Sequence, residues 1–257
     1  TIQKLLDARN KSKNNKIPVH SIEDILINNS EDYSKNHAVN ISSKSYYSDD
    51  ILFTLFTSGS TGLPKAIRHT AKRFTQYAKA TSKHFFGLNN NSIIFTATDV
   101  GWINGHTYAF YGPLLCGSLT VICEELNKVS NPKYLDDILI TCEVTCLYAS
   151  VTLLRAIRQN LLTDKSIECK SKSFTIERIG SCGESLANNI GKWAINYFNP
   201  ERKSIVNTYF QTETGGVITA PRDEDGFNKD YYNLKPSDVQ NIAKIVAHET
   251  IKAHEGI

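Results

Sequence analysis

The chain has 257 residues, 40% of them hydrophobic, enough to bury the core of one large domain or of two unequal ones. Its 29 basic and 26 acidic residues leave a net charge of +3 spread along the sequence, so it lacks the dense basic stripe of a nucleic-acid-binding surface. No apolar stretch approaches the ~20 residues of a membrane span, and the opening Thr1-Ile2-Gln3-Lys4 lacks the apolar core of a signal peptide. A cytoplasmic protein without membrane or nucleic-acid partners is expected, its oligomeric state open.

Residues 11–50 are polar, rich in Asn, Ser and Lys, and read as a surface excursion with one short helix around Ile22, Ile25, Leu26 and Ile27. Residues 51–56 form a β-type apolar run that ends in Thr57-Ser58-Gly59-Ser60-Thr61-Gly62, too rich in Gly and hydroxyls for a regular element: a strand feeding a loop. Phe74, Tyr77, Ala78, Thr81 and Phe85 then recur at helical spacing, and Gly87 supplies a C-terminal stop. Further on, strands are expected over 92–97, 118–123, 146–150, 176–181 and 204–209. A helix or helical turn is expected over 108–115, and helices over 136–143, 153–161 and 187–198. This alternation argues for an α/β domain with largely parallel pairing. From Pro236 onward, Val239, Ile242, Ala243, Val246 and Ile251 share one side of an amphipathic helix.

The six cysteines lie in apolar segments without a Cys-x-x-Cys pair, so buried reduced thiols are the default reading. Cys142 and Cys146 could share a helix face, but no second pair with zinc-site spacing follows, and a metal site there is not expected. Met is absent altogether, even from position 1. The sequence therefore reads either as an internal piece or as one that has lost residues, with local spacings then short by one.

The loop Thr57 to Lys65 offers converging backbone amides, several hydroxyls and one cation, which suit a polyphosphate, although a bare Gly/Ser loop by itself reads more readily as a flexible turn. It is not a Walker A loop, because Gly-Lys-Ser/Thr does not follow a first Gly at the required interval. The string Phe56-Thr57-Ser58-Gly59-Ser60-Thr61-Gly62-Leu63-Pro64-Lys65 resembles the signature loop of the adenylate-forming superfamily of acyl-CoA synthetases, luciferases and peptide adenylation domains. Three further strings follow in the order of that superfamily and resemble its acetyl-CoA synthetase branch: Asp99-Val100-Gly101-Trp102-Ile103-Asn104-Gly105-His106, Gly180-Ser181-Cys182-Gly183-Glu184-Ser185, and Tyr209-Phe210-Gln211-Thr212-Glu213-Thr214-Gly215-Gly216. The resemblance covers about residues 52–218.

The resemblance implies the large N-terminal domain of the adenylate-forming fold, an α/β structure of mixed β-sheets flanked by helices in layers. Residues 1–220 would be part of this adenylation domain and 221–257 a poorly matched tail. A small mobile C-terminal domain, with its catalytic lysine and the preceding ribose-binding aspartate, is expected to be missing or incomplete. The implied substrates are ATP, coenzyme A and a short carboxylic acid, with Mg2+. Thr57, Ser58, Gly59, Ser60, Thr61, Gly62 and Lys65 would hold the β- and γ-phosphates. Gly183, Glu184 and Ser185 would pass beside the adenine, while Asn207, Thr208, Tyr209, Phe210, Gln211 and Thr212 would wall the base and α-phosphate. Lys65, Thr212 and Glu213 would carry catalysis, Glu213 by binding magnesium. Trp102, Ile103, Cys182 and Phe210 would form the acyl pocket, and Asn104 and Ser150 would lie toward coenzyme A.

Taken singly, each has a plain rival: Glu213 as a solvated loop acid, Trp102 as a core aromatic, His106 as a satisfied core histidine. The chain also departs from the family pattern. Phe210 stands where acetyl-CoA synthetases carry a tryptophan, Ser185 replaces a proline, Asn207 an aspartate, Asn104 a threonine, and Ala66-Ile67 a Gly-Val pair. Phe210 leaves acetate and propionate both open. The expected function is an AMP-forming acetate–CoA ligase; the alternatives are a ligase for propionate or another short acid, and a truncated nucleotide-binding pseudoenzyme.

Overall fold

In the computed structural model, residues 47–58, 63–163, 174–199 and 205–220 are described below. All of them fall within the compact unit Tyr46–Ile257. Its centre is a five-stranded, wholly parallel sheet of β3 (Ile93–Ala97), β4 (Leu119–Val121), β5 (Cys146–Ser150), β6 (Arg178–Cys182) and β7 (Val206–Asn207), in the order β4-β3-β5-β6-β7.

Parallel strands bury both faces and so read as continuous apolar runs, as Ile93-Ile94-Phe95 and Cys146-Leu147-Tyr148 do. The two faces feed different clusters. Phe95, Leu147 and Ile179 pack with Leu135 and Leu139 of α3 (Pro132–Thr141), Leu154 and Ile157 of α4 (Val151–Thr163), and Ile190, Ala194 and Phe198 of α5 (Asn188–Phe198). On the other face Ile94, Cys146 and Tyr148 pack with Phe85 and Phe86 of α1 (Ala71–Phe86), with Tyr108, and with Val217. The result is three layers with the sheet in the middle.

α1 forms because Phe74, Ala78, Thr81, Ser82, Phe85 and Phe86 make one buried stripe. It stops at Gly87, whose φ of 61° is the left-handed conformation a side chain resists, and whose amide caps the Ser82 carbonyl. α3 starts on Asn131, whose side chain accepts from the amides of Lys133 and Tyr134, with Pro132 at the first helical position. The segment before α2 (Gly112–Cys116) is wound as a π-helix over Gly105–Tyr111, so the helix expected over 108–115 is two pieces of different pitch.

The expected strand and helix positions hold within a few residues, with three differences. The glycine-rich loop does not lead straight into α1. It joins β1 (Ile51–Thr57) to β2 (Lys65–Thr70) as an antiparallel hairpin in which Thr57 faces Lys65. The single strand expected over 204–209 is divided: β7 ends the parallel sheet, and β8 (Tyr209–Gln211) turns away to pair with β9 (Gly216–Thr219). Cys142 caps the end of α3 while Cys146 opens β5, so they share no helix face. Cys146 and Cys182 are buried free thiols, whereas Cys116, Cys123 and Cys142 are only half-buried. The readings made for 11–46, for Cys169 and for the amphipathic segment after Pro236 lie outside the described residues.

Candidate active site

In an open parallel sheet, loops leaving the carboxyl ends of neighbouring strands diverge where the strand order reverses, and the crevice they leave is the usual ligand site. Here the reversal lies between β3 and β5, because the chain runs outward from β3 to β4 and then crosses back to β5. The carboxyl ends around this point carry Thr98, Ser150, Cys182 and Asn207, with Ser150 opposite Cys182 and Ser181 opposite Asn207. Three of the four resemblance-bearing strings thus leave the same edge of one sheet.

Asn104 lies across the crevice: its amide donates to the Cys182 thiol at 3.6 Å and its oxygen accepts from the Thr98 hydroxyl at 3.0 Å. Ser150 caps α4 by accepting from the Leu153 amide at 3.1 Å. Ile103 and Cys182 are buried, and Phe210 packs against the clusters of both, so three of the four acyl-pocket candidates converge. Trp102 is 67% exposed, beside an exposed Val100, on the loop after Asp99. That exposure excludes the core-aromatic rival in this structure. The β8/β9 pairing has a bulge between Tyr209 and Phe210, a device that re-aims a side chain, and Phe210 is turned inward while Tyr209 stays exposed. Burial pushes the Cys182 thiol up to about 11, against the opposing hydrogen bonds of Tyr148 and Asn104, so it is a neutral thiol at neutral pH.

The turn between β8 and β9 shows how the backbone is spent. The Thr212 carbonyl accepts from the Gly215 amide at 3.2 Å and from His69 Nε2 at 2.8 Å. The Gly215 carbonyl accepts from the Thr107 hydroxyl at 2.6 Å. Val217 gives its amide to the Tyr108 hydroxyl at 2.7 Å, and its carbonyl accepts from the Tyr77 hydroxyl at 2.8 Å. Thr214 closes the turn internally through Gln211 and Gly216. Among the described residues no hydrogen bond or ion pair engages the Thr212 hydroxyl or the exposed Glu213 carboxylate. An anchored backbone with uncommitted side chains is the form a ligand-binding turn takes.

His69 is buried among aromatic rings, and because a carbonyl only accepts, its Nε2 carries the hydrogen. Desolvation is the largest influence on it and holds its pKa below the usual histidine value, so the ring is neutral at neutral pH. His106 is also shifted down by burial and stacks on Phe53 at 4.5 Å, which ties the Trp102 loop to the β1/β2 hairpin.

The nucleotide candidates divide. Lys65 opens β2, exposed, opposite Thr57; Ser58 is exposed, and Gly59, Ser60, Thr61 and Gly62 lie outside the described residues. Gly183 (φ 90°), Glu184 and Ser185 are exposed just past β6. The Glu184 carboxylate is taken by Thr152 Oγ1 at 2.8 Å and Arg155 Nη1 at 2.9 Å. The Asn207 amide oxygen accepts from Ser181 at 3.0 Å. Thr208 is buried: its hydroxyl donates to the Ser181 carbonyl at 2.8 Å and lies 2.7 Å from the Tyr148 hydroxyl. Gln211 is exposed and donates to the Tyr209 hydroxyl at 3.2 Å.

The model of the AMP-binding enzyme family matches residues 2–249. This chain belongs to that family. Curated relatives include acetyl-coenzyme A synthetase 1 of Debaryomyces hansenii, 41% identical over 174 residues, with 68% of this chain and 26% of that one covered. The acetyl-coenzyme A synthetase of Psychromonas ingrahamii is 38% identical over 173 residues, covering 67% and 26%. The chain therefore spans about a quarter of the length of these relatives. Its fold is similar to that of a benzoate CoA ligase from Burkholderia xenovorans, with a TM-score of 0.59 at 21% identity over 71% of this chain and 34% of that one.

Within this acetyl-CoA synthetase-like member of the family, the donor set at Glu213 suits magnesium. That ion takes one or two carboxylates together with substrate phosphate oxygens, and the Glu213 carboxylate is exposed and uncommitted. Among the described residues no group of three His, Cys, Asp or Glu side chains could hold a metal unaided. No helix among them is long and apolar enough to cross a membrane. Sequence reasoning missed His69, Tyr77, Thr107 and Tyr108, which anchor the β8/β9 turn, and Arg155, which holds Glu184. Only the in-register alternation of Lys65, Ile67 and His69 on β2 could have signalled the first.

Proposed function

We propose that this chain supplies the nucleotide- and acid-binding part of an ATP-dependent acid–thiol ligase that activates acetate as acetyl-AMP and transfers the acetyl group to coenzyme A. The observation that carries this reading is the β8/β9 turn: a backbone tied at every anchor, beside a strand-end crevice, with the Thr212 hydroxyl and Glu213 carboxylate left uncommitted. A carboxylate oxygen attacks the α-phosphorus and pyrophosphate leaves; the thiolate of coenzyme A, its proton lost to solvent, then attacks the acyl carbon and AMP leaves.

The chain's part is orientation and charge stabilisation, without a covalent enzyme intermediate. Lys65 and the hairpin loop from Thr57 through Gly62 hold the departing phosphates. Thr212 donates to the α-phosphate or acyl oxygen. Glu213 is the residue that would hold magnesium, which spreads phosphate charge when bound. With the Glu184 carboxylate held by Arg155 and Thr152, the backbone of Gly183 to Ser185 is what remains for the adenine face. Thr208, its hydroxyl spent inside the protein, acts in this reading by placing Tyr209 and Phe210 rather than by touching nucleotide. Asn104 and Ser150 border the path proposed for the thiol. A cytoplasmic site of action belongs to the same proposal, supported by the free thiols.

Phe210 keeps open a second variant of this reading, in which propionate is the acid, with the bulk of Ile103 acting in the opposite direction. A phenylalanine fills less of the pocket beside Ile103 and Cys182 than the tryptophan implied by the resemblance, and one methylene is worth about 1 to 3 kcal/mol in such a pocket.

The test is ATP–pyrophosphate exchange by the full-length protein with acetate, propionate and butyrate in turn, alongside Glu213→Gln. Exchange that requires a short acid and collapses in the variant establishes adenylation and names the acid. ATP binding without exchange for any acid overturns it in favour of a nucleotide-binding pseudoenzyme.

A further inference from the structure

The β8/β9 turn is anchored from three directions, and one anchor differs from the others in where it comes from. Tyr77 belongs to α1, while Thr107 and Tyr108 belong to the π-helical segment. His69 belongs to β2, the strand that begins at Lys65 directly after the proposed phosphate loop. Lys65, Ile67 and His69 alternate onto one face of this strand. A run of five residues therefore carries, at one end, the cation proposed for the leaving phosphates and, at the other, the donor to the Thr212 carbonyl.

The imidazole itself is held. It lies 5.1 Å from the Phe53 ring of the facing strand and 5.2 Å from Phe74 of α1. Phe53 in turn stacks on His106 at 4.5 Å. A Cβ on Gly215 would come within 3.1 Å of the His69 ring, so the turn closes against the imidazole with little room to spare. Three rings and a glycine thus fix the direction of one N–H, which spends itself on the carbonyl of Thr212, immediately before Glu213.

We propose that His69 is a positioning residue: by fixing the Thr212 carbonyl it sets the distance between the Lys65 phosphate-loop hairpin and the Thr212–Glu213 side chains. The inference rests on the role given to Thr212 and Glu213 above. His69 touches no substrate. It acts as a strut between the part of the site that binds departing pyrophosphate and the part that binds the reacting α-phosphate.

Two substitutions separate this role from simple packing. His69→Phe keeps a ring against Phe53 and Phe74 but removes the donor. His69→Gln gives up the ring but places an amide N–H at about the reach of Nε2. If His69 only fills space, Phe is the benign change; if it is a strut, Gln is. In ATP–pyrophosphate exchange by the full-length protein, H69F is expected to lower kcat roughly 10- to 100-fold, as loss of an orienting partner does, with KM for the acid little changed. H69Q should stay within about threefold of wild type, as should His84→Gln on the exposed side of α1.

Amide hydrogen exchange supplies a readout independent of activity. Gly215, whose amide donates to the Thr212 carbonyl, should exchange faster in H69F and not in H69Q. Should H69F fail to fold, His69→Asn, too short to reach the carbonyl, takes its place with the same expected losses. Wild-type exchange rates and Gly215 protection in H69F, or equal damage from Gln and Phe, would overturn the proposal. If the wild type exchanges with no acid, the functional reading fails while the amide comparison still decides the strut.

Discussion

Tyr108→Phe removes one oxygen atom from the centre of the molecule. The Tyr108 side chain is wholly buried, and its hydroxyl accepts from the Val217 amide at 2.7 Å and donates to Thr81 Oγ1 at 3.0 Å. The ring contacts to Phe86 at 5.2 Å and Tyr148 at 5.5 Å survive the change, so the void left behind is that of a single oxygen. Thr81 keeps its bond to the Tyr77 carbonyl at 2.8 Å and contributes little to the loss. Val217 is the costly partner, because its residue is fully buried in β9 and its amide points away from β8. A buried amide left without an acceptor costs about 1 to 3 kcal/mol, and the expected loss is ~2 kcal/mol. In urea unfolding followed by circular dichroism the midpoint should fall with an unchanged m-value. The thermal midpoint should drop by about 4 to 8 °C for a domain of this size. A loss below about 0.5 kcal/mol, the range of surface substitutions, would refute the assignment of Tyr108 as sole acceptor for that amide.

Two other outcomes follow from the same core. Burial raises the Cys182 thiol from 9.0 to about 11, and a raised folded-state pKa stabilises fully below the unfolded value and is lost as pH climbs through the folded one. Cys146, pushed up to about 12 by burial, adds in the same direction. Stability should therefore fall between about pH 9 and 11, by about 2 to 3 kcal/mol from Cys182. Cys182→Val should flatten that fall in urea titrations; an identical pH profile in the variant would show that Cys182 does not cause it. A Cβ on Gly180 would meet the Tyr148 and Phe86 rings at 2.6 and 2.7 Å, so Gly180→Ala should destabilise by about 1 to 3 kcal/mol through overpacking. A neutral result in the same assay would mean that those rings yield.

What could be read from the sequence, and what could not, divides by the range of the interactions. The stripe from Phe74 to Phe86 and the runs at 93–97 and 146–150 are local patterns, and they announced α1, β3 and β5 because burial on a helix face or on both faces of a strand constrains consecutive residues. β2 was missed because Lys65 to Thr70 has a weak alternation, its face of Lys65, Ile67 and His69 holding a single aliphatic residue, and its pairing depends on the opposite strand. The break between β7 and β8 was missed because Thr208, which belongs equally to a strand, turns its hydroxyl to the Ser181 carbonyl and ends the parallel pairing there. The candidate site was read as strings, the ordered motifs proposing Thr212, Glu213, Cys182 and Phe210. Its supports were not: His69 and Thr212 are 143 residues apart, Thr107 and Gly215 are 108 apart, and no periodicity reaches across such separations.

Those long-range supports explain why two short hairpins can hold a site that a parallel sheet alone cannot. Parallel strands end in loops that diverge, so a sheet provides a crevice but little to close it. Here β1/β2 and β8/β9 both pack on the cluster of Ile103, through Leu52, Phe53 and Leu55 and through Phe210, and each is an antiparallel pair too small to be stable by itself in water. Their order comes from what they share. α1 gives Phe74 to the first hairpin and Tyr77 to the second, while β2 gives His69 directly from one to the other. The π-helical segment adds Thr107 and Tyr108, whose side chains reach the second hairpin at Gly215 and Val217. A disturbance at either hairpin is therefore felt at the other through α1 and His69. It follows that the hydrogen-exchange protection of Gly215 and Val217 should rise and fall with the integrity of a strand that neither residue pairs with.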